Sequence, residues 1–159
     1  MATNFRAILE ALLDQQVDMV VVGGVALVAR GAPRTTEDID LCYRRDDANL
    51  ERLARALVPL RPYLRDAPPG LPFTLDAPTL RAGLNFTLTT VEGDVDLLGE
   101  ISGLGAYEQV KAASSPLTLY GRSIDVLDLA GLERAKTAAG RVKDIADLAF
   151  IAEIKKRRG

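Results

Sequence analysis

The sequence has no histidine and no tryptophan, one cysteine, and aromatic residues at only 5% of its 159 positions. Each shortage excludes something. Without histidine there is no Ser-His-Asp triad, no Cys-His pair and no His-ligated zinc. Any chemistry must run on carboxylates, Lys, Arg, Tyr, hydroxyls and backbone amides. Hard carboxylate oxygens suit Mg²⁺, Mn²⁺ or Ca²⁺ better than zinc. The lone Cys42 has no partner for an intramolecular disulfide. With no recognisable secretory leader, this points to a reducing cytoplasm. Cys42 follows Leu41 in a candidate core strand and reads as a small apolar residue. With few aromatics, the core must be built from Leu, Val, Ile and Ala.

An excess of positive charge is also missing. Twenty basic residues face 22 acidic ones, for a net charge of −2. That is not the footprint of a protein that coats nucleic acid. The basic run Lys155-Lys156-Arg157-Arg158 suits a helix C-terminus, whose partial negative charge favours cations. No apolar run approaches the ~20 residues of a membrane span, so no membrane partner is expected. The length fits a single domain over residues 1–159, one that can bury a core without disulfide or metal staples.

Hydrophobic periodicity gives the order of elements. Phe5, Ile8, Leu9, Leu12 and Leu13 recur at helical spacing, predicting a first helix over 4–16. Residues 18–22 read as a buried strand, 25–30 as a short helix after Gly23-Gly24, and a second strand follows through Asp38–Tyr43. Asp46 or Asp47 is a suitable N-cap for a helix over 47–61. The Pro-rich stretch 62–78 reads as a long loop, with a short helix at 77–82. Residues 84–91 and 94–98 alternate apolar and polar and are joined by a tight turn, which predicts an antiparallel hairpin. A loop over 99–105 leads to a short helix at 107–112. A second hairpin, 117–119 with 123–127, turns at Tyr120-Gly121. Asp128 caps a helix over 129–139 closed by Gly140. A last helix over 142–157 would turn Ile145, Leu148, Ala149 and Ile151 inward. The expected fold is α/β (α+β): a mixed β-sheet of four to six strands with helices packed on it and a C-terminal helical pair.

Two acidic pairs carry the chemical signal. Successive strand side chains alternate faces, so Asp38 and Asp40 share one face while Ile39 and Leu41 take the other. Asp94 and Asp96 repeat the pattern, with Val95 and Leu97 opposite. Stacked like charges repel each other, and a divalent cation between them reverses the sign of that interaction. A third carboxylate beside Asp38 and Asp40 would complete a site for two hard ions. Such a pair can stabilise both the attacking and the leaving oxygen of a phosphoryl displacement.

Upstream, Val20-Val-Val-Gly-Gly-Val-Ala-Leu-Val is a strand running into two glycines and a helix. Gly23 and Gly24 allow backbone amides to approach an anion closely, and a helix start adds partial positive charge. The turn is neither a Walker loop nor a dinucleotide fingerprint. Its information lies in the order, with Asp38 fourteen residues after Gly24.

Taken together, Val22-Gly-Gly-Val25 and Arg34-Thr-Thr-Glu-Asp-Ile-Asp-Leu41 resemble the signature of the nucleotidyltransferase superfamily that includes DNA polymerase beta. The nearest likeness is to small prokaryotic members related to the nucleotidyltransferase toxins of abortive-infection systems (AbiEii type). Their Arg-x-Thr-x-Asp-Ile-Asp-Leu pattern is met in place by Arg34, Thr36, Asp38, Ile39, Asp40 and Leu41. Val95-Asp-Leu-Leu98 supplies the third carboxylate, and Asp96 is preferred to Asp94, which sits nearer the turn. Leu132-Glu-Arg-Ala-Lys136 and Gly140-Arg-Val-Lys-Asp144-Ile-Ala-Asp-Leu148 resemble the later Lys and Lys-Asp motifs. Residues 44–83 match no part of the pattern.

The resemblance implies a nucleotidyltransferase fold and a Mg²⁺- or Mn²⁺-dependent transfer of a nucleoside monophosphate from a nucleoside triphosphate. It places Asp38, Asp40 and Asp96 as metal ligands and catalytic residues. It places Gly23, Gly24, Arg34, Thr36, Lys136, Lys143 and Asp144 at the nucleotide. Structural roles stay open beside these: Lys136 as an exposed helix lysine, Arg34 as a clamp for its own loop, and Asp144 as an ion-pair partner of Lys143 or Arg141. The acceptor hydroxyl would belong to a tRNA end, a protein or a small molecule, and a cognate toxin or antitoxin partner is a further expectation. The rival readings are a non-catalytic nucleotide- or partner-binding module on the same fold, and a Ca²⁺-stabilised structural domain.

Overall fold

The computed structural model describes residues 2–158. In chain order its elements are α1 (Phe5–Asp14), β1 (Met19–Val22), α2 (Gly23–Ala29), β2 (Asp38–Tyr43), α3 (Asp47–Leu57), β3 (Tyr63–Leu64), α4 (Ala77–Ala82), β4 (Phe86–Thr90), β5 (Gly93–Leu98), β6 (Glu100–Ile101), β7 (Gly105–Ala106), α5 (Tyr107–Ala112), β8 (Ser114–Leu119), β9 (Arg122–Leu127), α6 (Leu129–Ala139) and α7 (Asp144–Arg158). Seven strands form one mixed sheet in the order β3-β4-β5-β2-β1-β9-β8, and β6 and β7 make a separate small hairpin. β1 runs antiparallel to β2, while β2–β5 and β1–β9 are parallel. No described helix is long and apolar enough to cross a membrane.

Local chemistry explains most boundaries. Asn4, Asp46, Asp76 and Asp128 each accept a hydrogen bond from a backbone N–H in the first turn of the helix they precede, as N-caps do. Gly140 ends α6 in the left-handed conformation. The β8–β9 turn has positive φ at both Tyr120 and Gly121, the geometry whose twist suits a two-residue hairpin. Pro116 is tolerated because β8 is an edge strand.

β2 and β5 place Ile39, Leu41, Val95 and Leu97 on one face, all fully buried, and the leucines of α1, α3 and α4 join them in one core. Two buried polar residues tie this core together. Asn49 accepts from the Asp18 N–H at 2.7 Å and donates to the carbonyls of Asp18 and Arg44 at 3.0 and 2.8 Å, clamping α3 to β1 and β2. Arg30 donates to the carbonyls of Val126, Leu127 and Ser115, joining α2 to β8 and β9. Each buried polar atom that finds such a partner avoids the desolvation cost of a lone one.

Several expectations are corrected. The main sheet has seven strands rather than four to six, because β3 adds an edge strand. The helix over 47–61 ends at Leu57, and Val58–Leu60 continue as a 3₁₀ turn because Pro59 lacks an amide hydrogen. The stretch read as a loop over 62–78 contains β3, which pairs with β4 through Tyr63–Thr89 and Leu64–Leu88. The loop over 99–105 holds the β6–β7 hairpin. The last helix begins at Asp144, and its inward stripe is Asp144, Asp147, Ile151 and Ile154. Ile145, expected inward, is 65% exposed, and Ala149 is exposed as well.

Candidate active site

The face of the sheet opposite Ile39 and Val95 carries the acidic pairs. Parallel pairing of β2 with β5 sets Asp40 beside Asp96 and Asp38 beside Asp94. From these four, Asp38, Asp40 and Asp96 each bring a carboxylate oxygen within 4.8 Å of the others. Asp94 stands outside the cluster and faces Arg65 at 3.5 Å.

The electrostatics follow from burial and crowding. Burial is the first cause that pushes the Asp40 carboxyl up to about 7, the charges of Asp38 and Asp96 add to it, and Lys136 offsets part. Asp96 is also raised, first by burial, with the Arg65 guanidinium holding it back. The Oδ1 atom of Asp40 is buried without a hydrogen-bond partner. A buried carboxylate oxygen with no donor is costly, and a cation shared with Asp38 and Asp96 would satisfy it. Three converging carboxylates with one orphaned oxygen therefore fit a hard divalent ion such as Mg²⁺ or Mn²⁺.

These directions predict a pH effect on the metal-free chain. Between the ordinary Asp value of ~3.9 and about 7, Asp40 holds a proton in the folded state that the unfolded chain releases. Folding is favoured by this group at low pH, and the benefit is lost as pH rises through 7. In the presence of a chelator, the melting temperature is expected to fall from pH 5 to pH 8. Millimolar Mn²⁺ should restore it at pH 8 and change it little at pH 5. A melting temperature that rises over that window would contradict the assignment.

The glycine turn makes room for this cluster. A Cβ on Gly23 would lie 2.1 Å from Asp40 Oδ2, and one on Gly24 would lie 2.6 Å from Thr36 Oγ1. The Thr36 hydroxyl donates to the Asp38 carbonyl at 3.2 Å, bracing the start of β2. α2 itself begins at Gly23, two residues before the expected start.

The remaining candidates gather at one end of the same face. Arg34 donates through Nη1 to both oxygens of Asp147, at 2.7 and 2.8 Å. Lys136 Nζ sits 3.0 Å from Asp147 and 3.3 Å from Asp144. Asp144 is held down at about 2, first by the hydrogen-bonding Arg141 side chain, and it also accepts from the Arg141 backbone N–H. Asp144 thus pairs with Arg141 and Lys136, and Lys143 lines the cavity beside them. This Arg34–Asp147–Lys136–Asp144–Arg141 chain ties α6 and α7 to the loop that leads into β2. Asp147 and Arg65 are absent from the sequence candidates, and Arg141 is anticipated there only as an ion-pair partner of Asp144, a pairing the structure has. Asp147 lies three residues after Asp144, one helical turn on, and that spacing was a usable signal. Arg65 carried none.

Two cavities meet at Asp40. One of about 350 Å³ is lined by Gly24, Thr36, the three aspartates and the Lys136–Lys143 cluster. The other, about 420 Å³, shares Asp40, Leu98, Lys136 and Arg141 with it and adds Val22, Ile101, Leu127 and Leu132.

No protein-family model matches the sequence, and no curated protein matches it. Solved structures do match. The fold resembles that of the lincosamide antibiotic adenylyltransferase LnuA, solved with lincomycin bound, over 97% of this chain and 99% of that one, with a TM-score of 0.63 and 14% identity. It resembles the antibiotic-resistance factor ANT(2'')-Ia over 93% and 80% of the two chains, with a TM-score of 0.61 and 15% identity. A Thermotoga maritima protein provisionally described as a nucleotidyltransferase matches over 91% and 87%, with a TM-score of 0.59 and 19% identity. The chain has the nucleotidyltransferase fold.

Proposed function

We propose that this chain is a divalent-metal-dependent nucleotidyltransferase that moves a nucleoside monophosphate from a nucleoside triphosphate to an acceptor hydroxyl. The observation that carries the reading is the convergence of Asp38, Asp40 and Asp96 from two parallel-paired strands, with one buried oxygen left unpartnered. Those three residues would hold Mg²⁺ or Mn²⁺. The ion, when bound, would neutralise charge on the phosphates and favour the deprotonated acceptor.

The chain's own groups supply the rest. Gly24 keeps the wall of the 350 Å³ cavity thin beside Thr36, and Gly23, on the adjoining 420 Å³ cavity, leaves Asp40 its place between the two. Lys136 and Lys143 face that cavity as point charges for phosphate, while Arg34 and Asp144 keep Lys136 and its helix in place. Asp96, at the edge of the cluster, would orient the acceptor hydroxyl and take its proton. The acceptor oxygen bonds to the α-phosphorus, the bond from that phosphorus to the bridging oxygen breaks, and pyrophosphate leaves. Positioning and charge neutralisation provide most of the acceleration, as is general for phosphoryl transfer.

The adjoining 420 Å³ cavity has an apolar floor and the polar residues Asn85, Glu100 and Ser102 on its wall. It offers room for an organic group of nucleoside size beside the phosphates. The net charge of −2 and the engagement of Arg34 and Arg141 with acids favour a small hydroxylated acceptor over a nucleic acid. Two proteins of similar fold, LnuA and ANT(2'')-Ia, are antibiotic-directed, so hydroxylated antibiotics are the first acceptors to try. The test is incubation with Mg²⁺ and each labelled nucleoside triphosphate against such small molecules, tRNA and total protein. Metal-dependent transfer of label to one class is expected. Absence of transfer together with absence of metal-dependent triphosphate binding would refute the reading.

A further inference from the structure

Arg65 stands beside the place where divalent charge would enter. It follows β3 at the sheet edge, and its N–H donates to the Thr87 carbonyl at 2.9 Å. Because Thr87 pairs with Asp96, and Asp96 with Asp40, this bond puts Arg65 in the row that crosses the acidic cluster. Its guanidinium lies 2.8 Å from Asp96 Oδ1, 3.5 Å from Asp94 Oδ2 and 3.9 Å from Asp38 Oδ2. Among the described residues its side-chain hydrogen bonds run through Nη2 alone, to Asp96 and to the Leu88 carbonyl. Its Nε is buried and has no acceptor. The group is therefore held mostly by the charge of three carboxylates, and two of these belong to the three proposed metal ligands.

Resting on the function proposed above, we propose that Arg65 is a built-in counter-cation that makes divalent-ion binding conditional on the nucleotide. Without nucleotide, the guanidinium neutralises part of the cluster, keeps Asp96 engaged and repels an incoming dication. A triphosphate brings negative oxygens that offset that repulsion. The ion and the nucleotide then bind together. Arginine suits the task because its planar fork can span several carboxylates and does not lose its proton. Lys136, another cation lining the cavity, forms its ion pairs with Asp144 and Asp147 rather than with the three clustered aspartates.

The test is Mn²⁺ binding followed by electron paramagnetic resonance, with and without a non-hydrolysable α,β-methylene ATP. The native chain should bind Mn²⁺ weakly alone and at least about tenfold more tightly with the analogue. Arg65→Gln should bind Mn²⁺ alone about tenfold more tightly than the native chain, a change of the size that groups around metal ligands produce. Its gain from nucleotide should shrink accordingly. Arg65→Lys, which keeps the charge, should stay near the native value. Equal or weaker Mn²⁺ binding by Arg65→Gln would overturn the proposal and leave Arg65 as a residue that only orients Asp96. If Arg65→Gln folds only with metal, Mn²⁺ alone should suffice to rescue it, and failure of that rescue would also overturn it. A native chain that binds Mn²⁺ neither alone nor with the analogue would defeat the metal-site reading itself.

Discussion

Replacing Asp38, Asp40 or Asp96 by Asn is expected to lower metal-dependent nucleotide transfer by about 10³-fold or more, beyond the usual cost of removing one neutral stabilising donor. The three oxygens lie within 4.8 Å of one another, so losing one charge weakens the whole cluster rather than one contact. The fold should survive. Each of these side chains is only partly buried, and each of their strand neighbours Ile39 and Val95 is fully buried on the other face. Asp40→Asn should even raise metal-free stability above pH 7, because it removes a crowded carboxylate that burial keeps from ionising easily. Asp94→Asn is the informative comparison. Asp94 lies on the same face of β5 but outside the cluster, and its loss should cost less than tenfold. Steady-state transfer assays with melting curves on the four variants would decide. Equal losses at Asp94 and Asp96 would mean that the wrong residue of β5 has been placed at the metal.

That choice between Asp94 and Asp96 shows how far the sequence could be read. Alternation alone puts both on one face, and the turn at Val91-Glu92 is enough to set the antiparallel β4–β5 hairpin. What alternation cannot supply is the pairing of β2 with β5, which are more than fifty residues apart in the chain. Only that register, Asp40 beside Asp96, makes a cluster of three out of two separate pairs. The Gly-Gly turn was legible as a motif. Its physical reason was not, since the demand comes from Asp40 and Thr36 across the sheet.

Two other features defeated pattern reading for opposite reasons. In α7 the apolar residues Ile145, Leu148, Ala149 and Ile151 have helical spacing, yet Asp144 and Asp147 take the inward side of its first turns and Ile145 is 65% exposed. Hydrophobic periodicity assumes that charge faces water. Here inward cations were waiting: Lys136 from α6, Arg34 from the loop before β2 and Arg141 from the turn. Arg65 failed for want of any pattern. The two-residue strand before it is too short for a period to show, and the prolines that follow make the stretch read as loop. The residue reaches the site only because β3 pairs with β4 at the sheet edge.

Gly23→Ala is expected to reduce transfer by about 10²-fold, the scale of a misplacement of roughly an ångström at a reacting centre. Gly23 has φ of +64°, and an added Cβ would meet Asp40 Oδ2 at 2.1 Å, Cγ at 2.9 Å and Cβ at 3.0 Å. Rotating the carboxylate relieves only the first of these, so the β2 backbone at Asp40 must also move. The left-handed conformation adds its own cost of about 1–2 kcal/mol for a residue with a side chain. For a chain of this size that alone lowers the melting temperature by several degrees, roughly 2–4 °C per kcal/mol. Gly121→Ala separates the two effects. Gly121 has φ of +76° with nothing within 4 Å of an added Cβ, and it lies at the β8–β9 turn. It should lose stability and keep transfer activity, whereas Gly23→Ala should lose both, with Mn²⁺ affinity falling in step with the rate. Native activity in a folded Gly23→Ala chain would mean that Asp40 can leave its place without consequence, which a metal ligand at that position cannot do.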